Sequence, residues 1–179
     1  MTRKEASSTL NAPHNHIPQN ASLRVNDQEL KNRQSLGLTP AWRLNIKNCL
    51  KYINSQKEKI YWEDIKQGKN LLNLDQFGDV IIARKDILTS YHLSVTVDDN
   101  SDGVTHIIRG NDLESYTNIH RLLQVLLNLR ETKWFHHKLV KDTNGKRIAK
   151  RSNSKLTIKE LRKNGYSANE VIKLAKSST

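Results

Sequence analysis

The clearest hydrophobic signal is a short unbroken run. Val80, Ile81, Ile82 and Ala83 come just after Gly78 and Asp79, which predicts a buried strand. Tyr91 to Val97 alternates and is rich in β-branched residues, predicting a second strand that ends at Asp98-Asp99-Asn100. The cluster Asp98 to Gly103 is turn chemistry. Val104 to Arg109 predicts a third strand, closed by Gly110. Asn111 then stands where a helix cap belongs, with Glu114 at capping-box spacing. The helix expected after it carries Leu122, Leu123, Val125, Leu126, Leu127 and Leu129, apolar over much of its surface and so well buried. Trp134 to Val140 reads as another short strand, and Asn144-Gly145 as a turn. Thr157 with Glu160 and Ser167 with Glu170 predict two short capped helices at the end.

The first third of the chain is less patterned. Between Ala41 and Ile60, the residues Leu44, Ile46, Leu50 and Ile53 fit one helix face or a strand followed by a helix. Met1 to about Leu38 has few large apolar residues and many Asn and Ser, so a loosely ordered segment is expected. Strands alternating with a long helix predict an α/β domain with a mainly parallel sheet and a small helical appendage.

Composition narrows the partners. The chain has 179 residues, enough for one domain with a core, and is 36% apolar and 27% charged. The net charge of +12 favours a polyanionic partner. That charge is concentrated: from Lys133 to Lys163 there are eleven Lys and Arg against Asp142 and Glu160. A basic stretch around a turn suits the phosphates of a nucleotide or an RNA backbone. Cys49 is the only cysteine, so no disulfide and no all-cysteine metal site can form. His14, His16, His106, His136 and His137 do not supply zinc-ligand spacing, and each is expected to be structural or solvent-facing. No apolar run approaches the roughly 18 residues of a membrane span. The N-terminus carries no apolar signal core. A soluble, cytoplasmic protein with no membrane partner is expected.

Three segments carry a more specific signal. The first is Tyr91-His92-Leu93-Ser94-Val95-Thr96-Val97-Asp98-Asp99. The second is Gly103-Val104-Thr105-His106-Ile107-Ile108-Arg109-Gly110-Asn111-Asp112-Leu113. The third is Gly145-Lys146-Arg147-Ile148-Ala149-Lys150-Arg151. In this order, with Tyr91 and Arg109 18 residues apart and Arg109 and Lys150 41 apart, they resemble the class I glutamyl-tRNA synthetase family. Gly78 to Asp86 resembles the strand that precedes them there. Thr2 to Glu5 and Ala12 to His14 resemble the start of the family's zinc-binding insert, and Pro40 to Leu44 the segment after it. The chain ends soon after the lysine-rich loop, which makes it most similar to the glutamyl-queuosine tRNA(Asp) synthetases.

The resemblance implies an α/β fold: the C-terminal half of a Rossmann-type class I aminoacyl-tRNA synthetase catalytic domain with a small helical appendage. It divides the chain into a zinc-insert remnant at 1–40, the second half of the catalytic domain at 41–140, and a KMSKS-like loop with terminal helices at 141–179. It implies an ATP-dependent ligase that activates glutamate and transfers it to tRNA, with ATP and magnesium. Arg109 would grip the side-chain carboxylate of glutamate, for which a guanidinium is suited. An internal ion pair with Asp98, Asp99 or Asp112 is the alternative for that residue. Tyr91 would lie beside the bound glutamate. In the motif Arg147, Ile148, Ala149, Lys150 and Arg151, Lys150 would hold ATP phosphates. Arg162 and Lys163 are weaker candidates for tRNA contacts.

There are departures from the family pattern. No segment resembles the family's first ATP motif, Ile17 to Ser22 stands where the last zinc ligand falls, and Ala149 replaces a usual serine. Zinc is therefore not expected. The chain alone is expected not to activate glutamate; it reads as a gene fragment, a half of a split enzyme with a separately encoded N-terminal half, or an internal-start product. A non-catalytic tRNA-binding module and an inactive remnant are the alternatives. Half of such a sheet is expected to leave an apolar edge and face open.

Overall fold

In the computed structural model, residues 26–56, 58–141, 145, 148 and 157–177 are described. In chain order the elements are α1 (Asp27–Ser35), β1 (Trp42–Leu44), α2 (Ile46–Ser55), β2 (Tyr61–Asp64), β3 (Gly68–Leu71) and β4 (Val80–Ala83). There follow α3 (Tyr91–Ser101), β5 (His106–Gly110), α4 (Thr117–Leu126), β6 (Lys133–His137), α5 (Ile158–Lys163) and α6 (Ala168–Ser177). No helix among the described residues is long and apolar enough to cross a membrane.

The main sheet has the strand order β3-β2-β6-β5. β2 and β3 form an antiparallel hairpin, while β6 runs parallel to both β2 and β5. The hairpin turn has a local cause: Asp64 Oδ1 accepts from the backbone N–H groups of Lys66, at 2.9 Å, and Gln67, at 3.0 Å. An aspartate closing its own turn in this way is an Asx turn. Gly68 then takes φ +85°, open to glycine at no steric cost.

One face of the sheet is dry. Trp62, Asp64, Trp134 and His136 are buried there, and α4 covers them. Trp62 and Trp134 meet edge to face with ring centroids 6.1 Å apart, and the Trp62 indole N–H donates to Asn118 Oδ1 of α4 at 3.2 Å. The second face of α4 supplies the aliphatic core. Ile119, Leu122 and Leu123 pack with Ile46, Cys49 and Ile53 of α2, with Leu74 and Phe77 of the loop between the sheets, and with Val80.

Among the described residues, none covers the opposite face of the sheet. Tyr61 is exposed, Lys133 and Glu63 pair across it at 3.0 Å, and Ile108 is 71% exposed. β5 is an edge strand. Parallel strands normally have both faces covered, so this face and edge depart from the usual arrangement.

Several sequence expectations need correction. Tyr91 to Val97 is not a strand but the start of helix α3, capped by the Ser90 side chain on Leu93 N–H. The Asp98 to Gly103 cluster is the last turn of that helix and its stop. Val104 N–H reaches back to Asp99 O at 2.8 Å and Gly103 sits at φ +72°, a Schellman-type ending. The alternation misled because the half-buried face of α3 is carried partly by polar residues, His92, Thr96 and Asn100, spaced by four. β-branched propensity lost to tertiary context.

Asn111 does not cap the long helix. Asn111–Leu113 forms a single 3-10 turn and α4 begins at Thr117. α4 also ends before Leu127 and Leu129, with Asn128 at φ +52°. Val80–Ala83 is a strand, yet it pairs antiparallel with Trp42–Leu44 in a separate two-stranded sheet. The Ala41 to Ile60 region resolves to strand β1 and helix α2. The N-terminal segment expected to be loose contains α1, capped by Asn26 and burying no residue. The parallel pairing and the two capped terminal helices agree with expectation. Thr157 caps α5, and Ser167 and Glu170 exchange hydrogen bonds at the start of α6.

Phe77 is fully buried at the junction of α2, α4 and the loop. Phe77→Ala is expected to cost about 3–5 kcal/mol, read as a lowered midpoint in urea unfolding. The open face and edge at Ile108 are expected to drive concentration-dependent self-association of the isolated chain. Sedimentation velocity should show it, and Ile108→Lys should weaken it.

Candidate functional site

Arg109 lies near the C-terminal end of β5, and its side chain turns toward α4. Strand ends of this kind are where open α/β sheets bind ligands. Gly110 follows it for a steric reason: a Cβ there would stand 2.5 Å from Asp112 Oδ1 and 2.8 Å from Leu139 Cδ2. The chain therefore turns tightly just past the arginine.

The guanidinium is held on three sides. Nη2 donates to Thr117 Oγ1 at 2.6 Å, Nη1 to His120 Nδ1 at 2.9 Å, and Nε to His136 Nε2 at 3.3 Å. The Tyr91 hydroxyl is a further hydrogen-bond partner. The network continues outward from each imidazole. His136 Nδ1 lies 2.7 Å from Asp64 Oδ2, with both side chains buried. His120 Nε2 lies 3.0 Å from His92 Nδ1, and the His92 ring stacks on Tyr116 with centroids 5.1 Å apart. An unbroken polar chain thus runs from the β2–β3 hairpin, through β6 and β5, to α3.

Beside the arginine is a cavity of about 210 Å³, lined by Tyr91 and Asp99 of α3, Ile108 and Arg109 of β5, and His120 and Gln124 of α4, among others. Gln124 is buried and donates to Thr132 Oγ1 at 3.1 Å, while its Oε1 has no partner among the described residues. The cavity therefore offers one permanent cation, a phenol and a carboxylate. A small ligand with an anionic end and a hydrogen-bond donor suits it.

The electrostatics follow from burial. Burial lowers the Arg109 pKa, while Tyr91, Asp99 and Asp112 hold it up. Burial raises Asp99, against the pull of Arg109 and with the push of Asp102 and Asp98. Burial pushes His120 well below the usual imidazole value, and the charge of Arg109 and the neighbouring His92 push it the same way. His120 is therefore neutral, as its acceptor role toward Arg109 requires. Burial would raise Asp64, but the hydrogen bonds from His136, Gln67 and Lys66 outweigh it and leave the carboxyl below its ordinary value.

Of the residues singled out in the sequence, Tyr91 and Arg109 come together. Tyr91 opens α3, is 53% exposed and shares the cavity with Arg109. Arg162 and Lys163 are exposed in the last turn of α5. Arg147, Ala149, Lys150 and Arg151 lie outside the described residues. Ile148 is described, and its N–H donates to Val140 O at 3.1 Å. Asp64, His92, Thr117, His120 and Gln124 were not singled out as site residues, and His136 was expected to be structural or solvent-facing. Their signal is faint: polar residues at 117, 120 and 124 recur at helical spacing on the otherwise apolar α4.

His120 has a folded pKa below its unfolded value of 6.5, so the folded state binds fewer protons. The stability this contributes is present above pH 6.5 and is lost as pH falls below it, at up to about 1.4 kcal/mol per pH unit. Asp64 acts in the same direction at lower pH, beginning near about 3.9. The urea midpoint is therefore expected to fall between pH 7.5 and 5.5, and His120→Asn should flatten that slope.

Comparison with known proteins places the whole arrangement. A glutamyl-Q tRNA(Asp) synthetase of Rhodobacter capsulatus is 46% identical over 97 residues, covering 54% of this chain and 34% of that protein. Glutamate–tRNA ligase 2 of Bartonella tribocorum is 31% identical over 147 residues, covering 82% of this chain and 32% of the ligase. The chain thus spans about a third of the length of these curated relatives. A glutamate tRNA ligase from Elizabethkingia meningosepticum, solved with its amino acid, superposes with a TM-score of 0.54 at 22% identity, over 76% of this chain and 26% of the ligase. That likeness carries the fold: an α/β arrangement with parallel strands, as in a Rossmann-type catalytic domain. A sequence model of the catalytic domain of class I tRNA synthetases (E and Q) matches residues 1–176, and the chain belongs to that family.

Proposed function

We propose that this chain forms part of a glutamyl-tRNA synthetase-like ligase, in which glutamate is activated with ATP and transferred to tRNA. The observation that carries the reading is Arg109, a half-buried cation at a strand end, opening with Tyr91 onto a cavity of amino-acid size. In this reading a guanidinium N–H pair grips the side-chain carboxylate of glutamate end-on. The Tyr91 hydroxyl lies beside it, and Ile107 and Ile108 add apolar lining to the same cavity. Arg109 keeps its charge at every working pH, so recognition of the carboxylate does not depend on its protonation.

Lys150, within Arg147, Ile148, Ala149, Lys150 and Arg151, is proposed to hold the ATP phosphates. A lysine is suited to that as a mobile point charge. Among the described residues, no three His, Cys, Asp or Glu side chains gather where a metal ion would sit. Magnesium belongs to this reading as the companion of the ATP phosphates, and no step is derived through it. Arg162 and Lys163 are proposed tRNA contacts. They are exposed and carry positive charge, as phosphate contacts do. The Rhodobacter relative supports queuosine of tRNA(Asp) as the acceptor. The proposed organisation is residues 41–140 as the second half of the catalytic domain, 141–179 as the loop and terminal helices, and 1–40 as the zinc-insert region. The chain acts with the remainder of the catalytic domain, whichever polypeptide carries it, in a cytoplasmic setting.

The test is glutamate-dependent ATP–pyrophosphate exchange, with the chain alone and mixed with a first-half domain from a full-length relative. Exchange is expected in the mixture. Arg109→Ala should reduce it about a hundredfold, within the roughly 2–5 kcal/mol that follows removal of one partner of a buried charge pair. Arg109→Lys should restore little, because a lysine does not make the paired contact. Lys150→Ala should abolish exchange while glutamate still binds. Steeply salt-dependent tRNA binding with no exchange would instead make the chain a tRNA-binding module.

A further inference from the structure

The inference below rests on the proposed reading of Arg109 as the carboxylate-binding residue, and concerns what holds it in place. A free arginine side chain has rotamer entropy to lose before it grips anything. Here the loss is already met by contacts on α4 and β6. Nε, Nη1 and Nη2 each donate once, to His136, His120 and Thr117. A guanidinium has five N–H donors, so two remain on the terminal nitrogens, to be shared between the Tyr91 hydroxyl and the cavity.

The contact to His136 has a strict requirement. Arg109 Nε only donates, so His136 Nε2 must be bare. The Thr117 hydroxyl oxygen accepts from Arg109 Nη2, and its O–H can donate a hydrogen bond to the same Nε2, 3.1 Å away. The imidazole proton must then stand on Nδ1, where Asp64 Oδ2 accepts it at 2.7 Å. Asp64 is fixed in turn: its other oxygen, Oδ1, is occupied by the N–H groups of Lys66 and Gln67. The carboxylate and the ring are 1% and 0% exposed, so no water substitutes for either. Nothing in glutamate binding as such asks for this arrangement. It makes sense as a rigid mount for the guanidinium.

We infer that Asp64 and His136 are positioning residues: the carboxylate fixes His136 in its Nδ1-protonated tautomer, and the bare Nε2 so presented aims Arg109 into the cavity. The hairpin between β2 and β3 thereby sets the orientation of a side chain on β5, two strands away.

Asp64→Asn tests this with little change of shape. The amide oxygen keeps the Lys66 and Gln67 N–H groups, which turns the NH2 toward His136 Nδ1. The ring proton must then move to Nε2, where it opposes Arg109 Nε–H. Nitrogen-15 NMR of the full chain, labelled in His and Arg, reads both events. The wild type is expected in the Nδ1–H tautomer with a slowly exchanging Arg109 Nε–H. Asp64→Asn is expected to show the Nε2–H tautomer, a fast-exchanging Arg109 Nε–H, and L-glutamate affinity lower by about tenfold, the size of one lost charge-assisted hydrogen bond. Thr117→Val should keep the Nδ1–H tautomer, since Asp64 rather than Thr117 sets it; this arm and the wild-type spectrum decide the matter even if Asp64→Asn does not fold. A wild-type ring in the Nε2–H form, a tautomer that changes in Thr117→Val, or an Arg109 signal indifferent to Asp64→Asn would each overturn the inference. If the spectra behave as expected but the wild-type chain binds no glutamate, the mount stands and the glutamate reading of Arg109 falls.

Discussion

A guanidinium set half inside a protein demands acceptors for its N–H groups, and much of this structure can be traced to how Arg109 meets that demand. An arginine cannot shed its proton to escape burial. The acceptors must therefore be neutral or anionic, and they must be held. Thr117 and His120 come from one face of α4 and His136 from β6. That requirement explains polar residues in places where periodicity alone calls for aliphatic ones. It also explains why burial lowers the His120 pKa without harm, since only a neutral His120 can accept from the arginine.

The packing and the site are coupled through α4. One side of this helix carries Ile119, Leu122 and Leu123 into the aliphatic core with α2 and Phe77. The other side carries Thr117, Asn118, His120 and Gln124 against the sheet and the cavity. Burying the first side fixes the rotation of the helix, and that rotation sets the acceptors around Arg109. The Trp62–Trp134 contact and the bond from Trp62 to Asn118 secure the same helix against β2 and β6. The open sheet face and the β5 edge have no such partner among the described residues, which sets them apart from the rest of a mainly parallel sheet.

The likeness to class I tRNA synthetases gives this geometry its most economical interpretation. The family match extends from residue 1 to residue 176, and Arg109 and Tyr91 share one cavity.

The sequence by itself determined the class of the fold, the strands at Val80, Val104 and Trp134, and the two capped terminal helices. Those signals are local: β-branched runs, glycine stops and capping boxes act within a few residues. It also singled out Arg109 and Tyr91 by the order and spacing of the motifs that carry them, and the structure brings the two to one cavity. It misjudged Tyr91 to Val97, since alternation in seven residues does not distinguish a strand from a helix whose buried face is partly polar. It missed the β2–β3 hairpin, whose Asp64 and Gly68 turn chemistry is brief. Only the tertiary structure decided that Val80–Ala83 leaves the main sheet, and only it joined Asp64, His92, Thr117, His120 and His136 to Arg109. Those residues are up to 72 positions apart, as in the Asp64–His136 pair. Hydrogen-bond complementarity between distant side chains leaves no period in a sequence, because it comes into being when the elements pack.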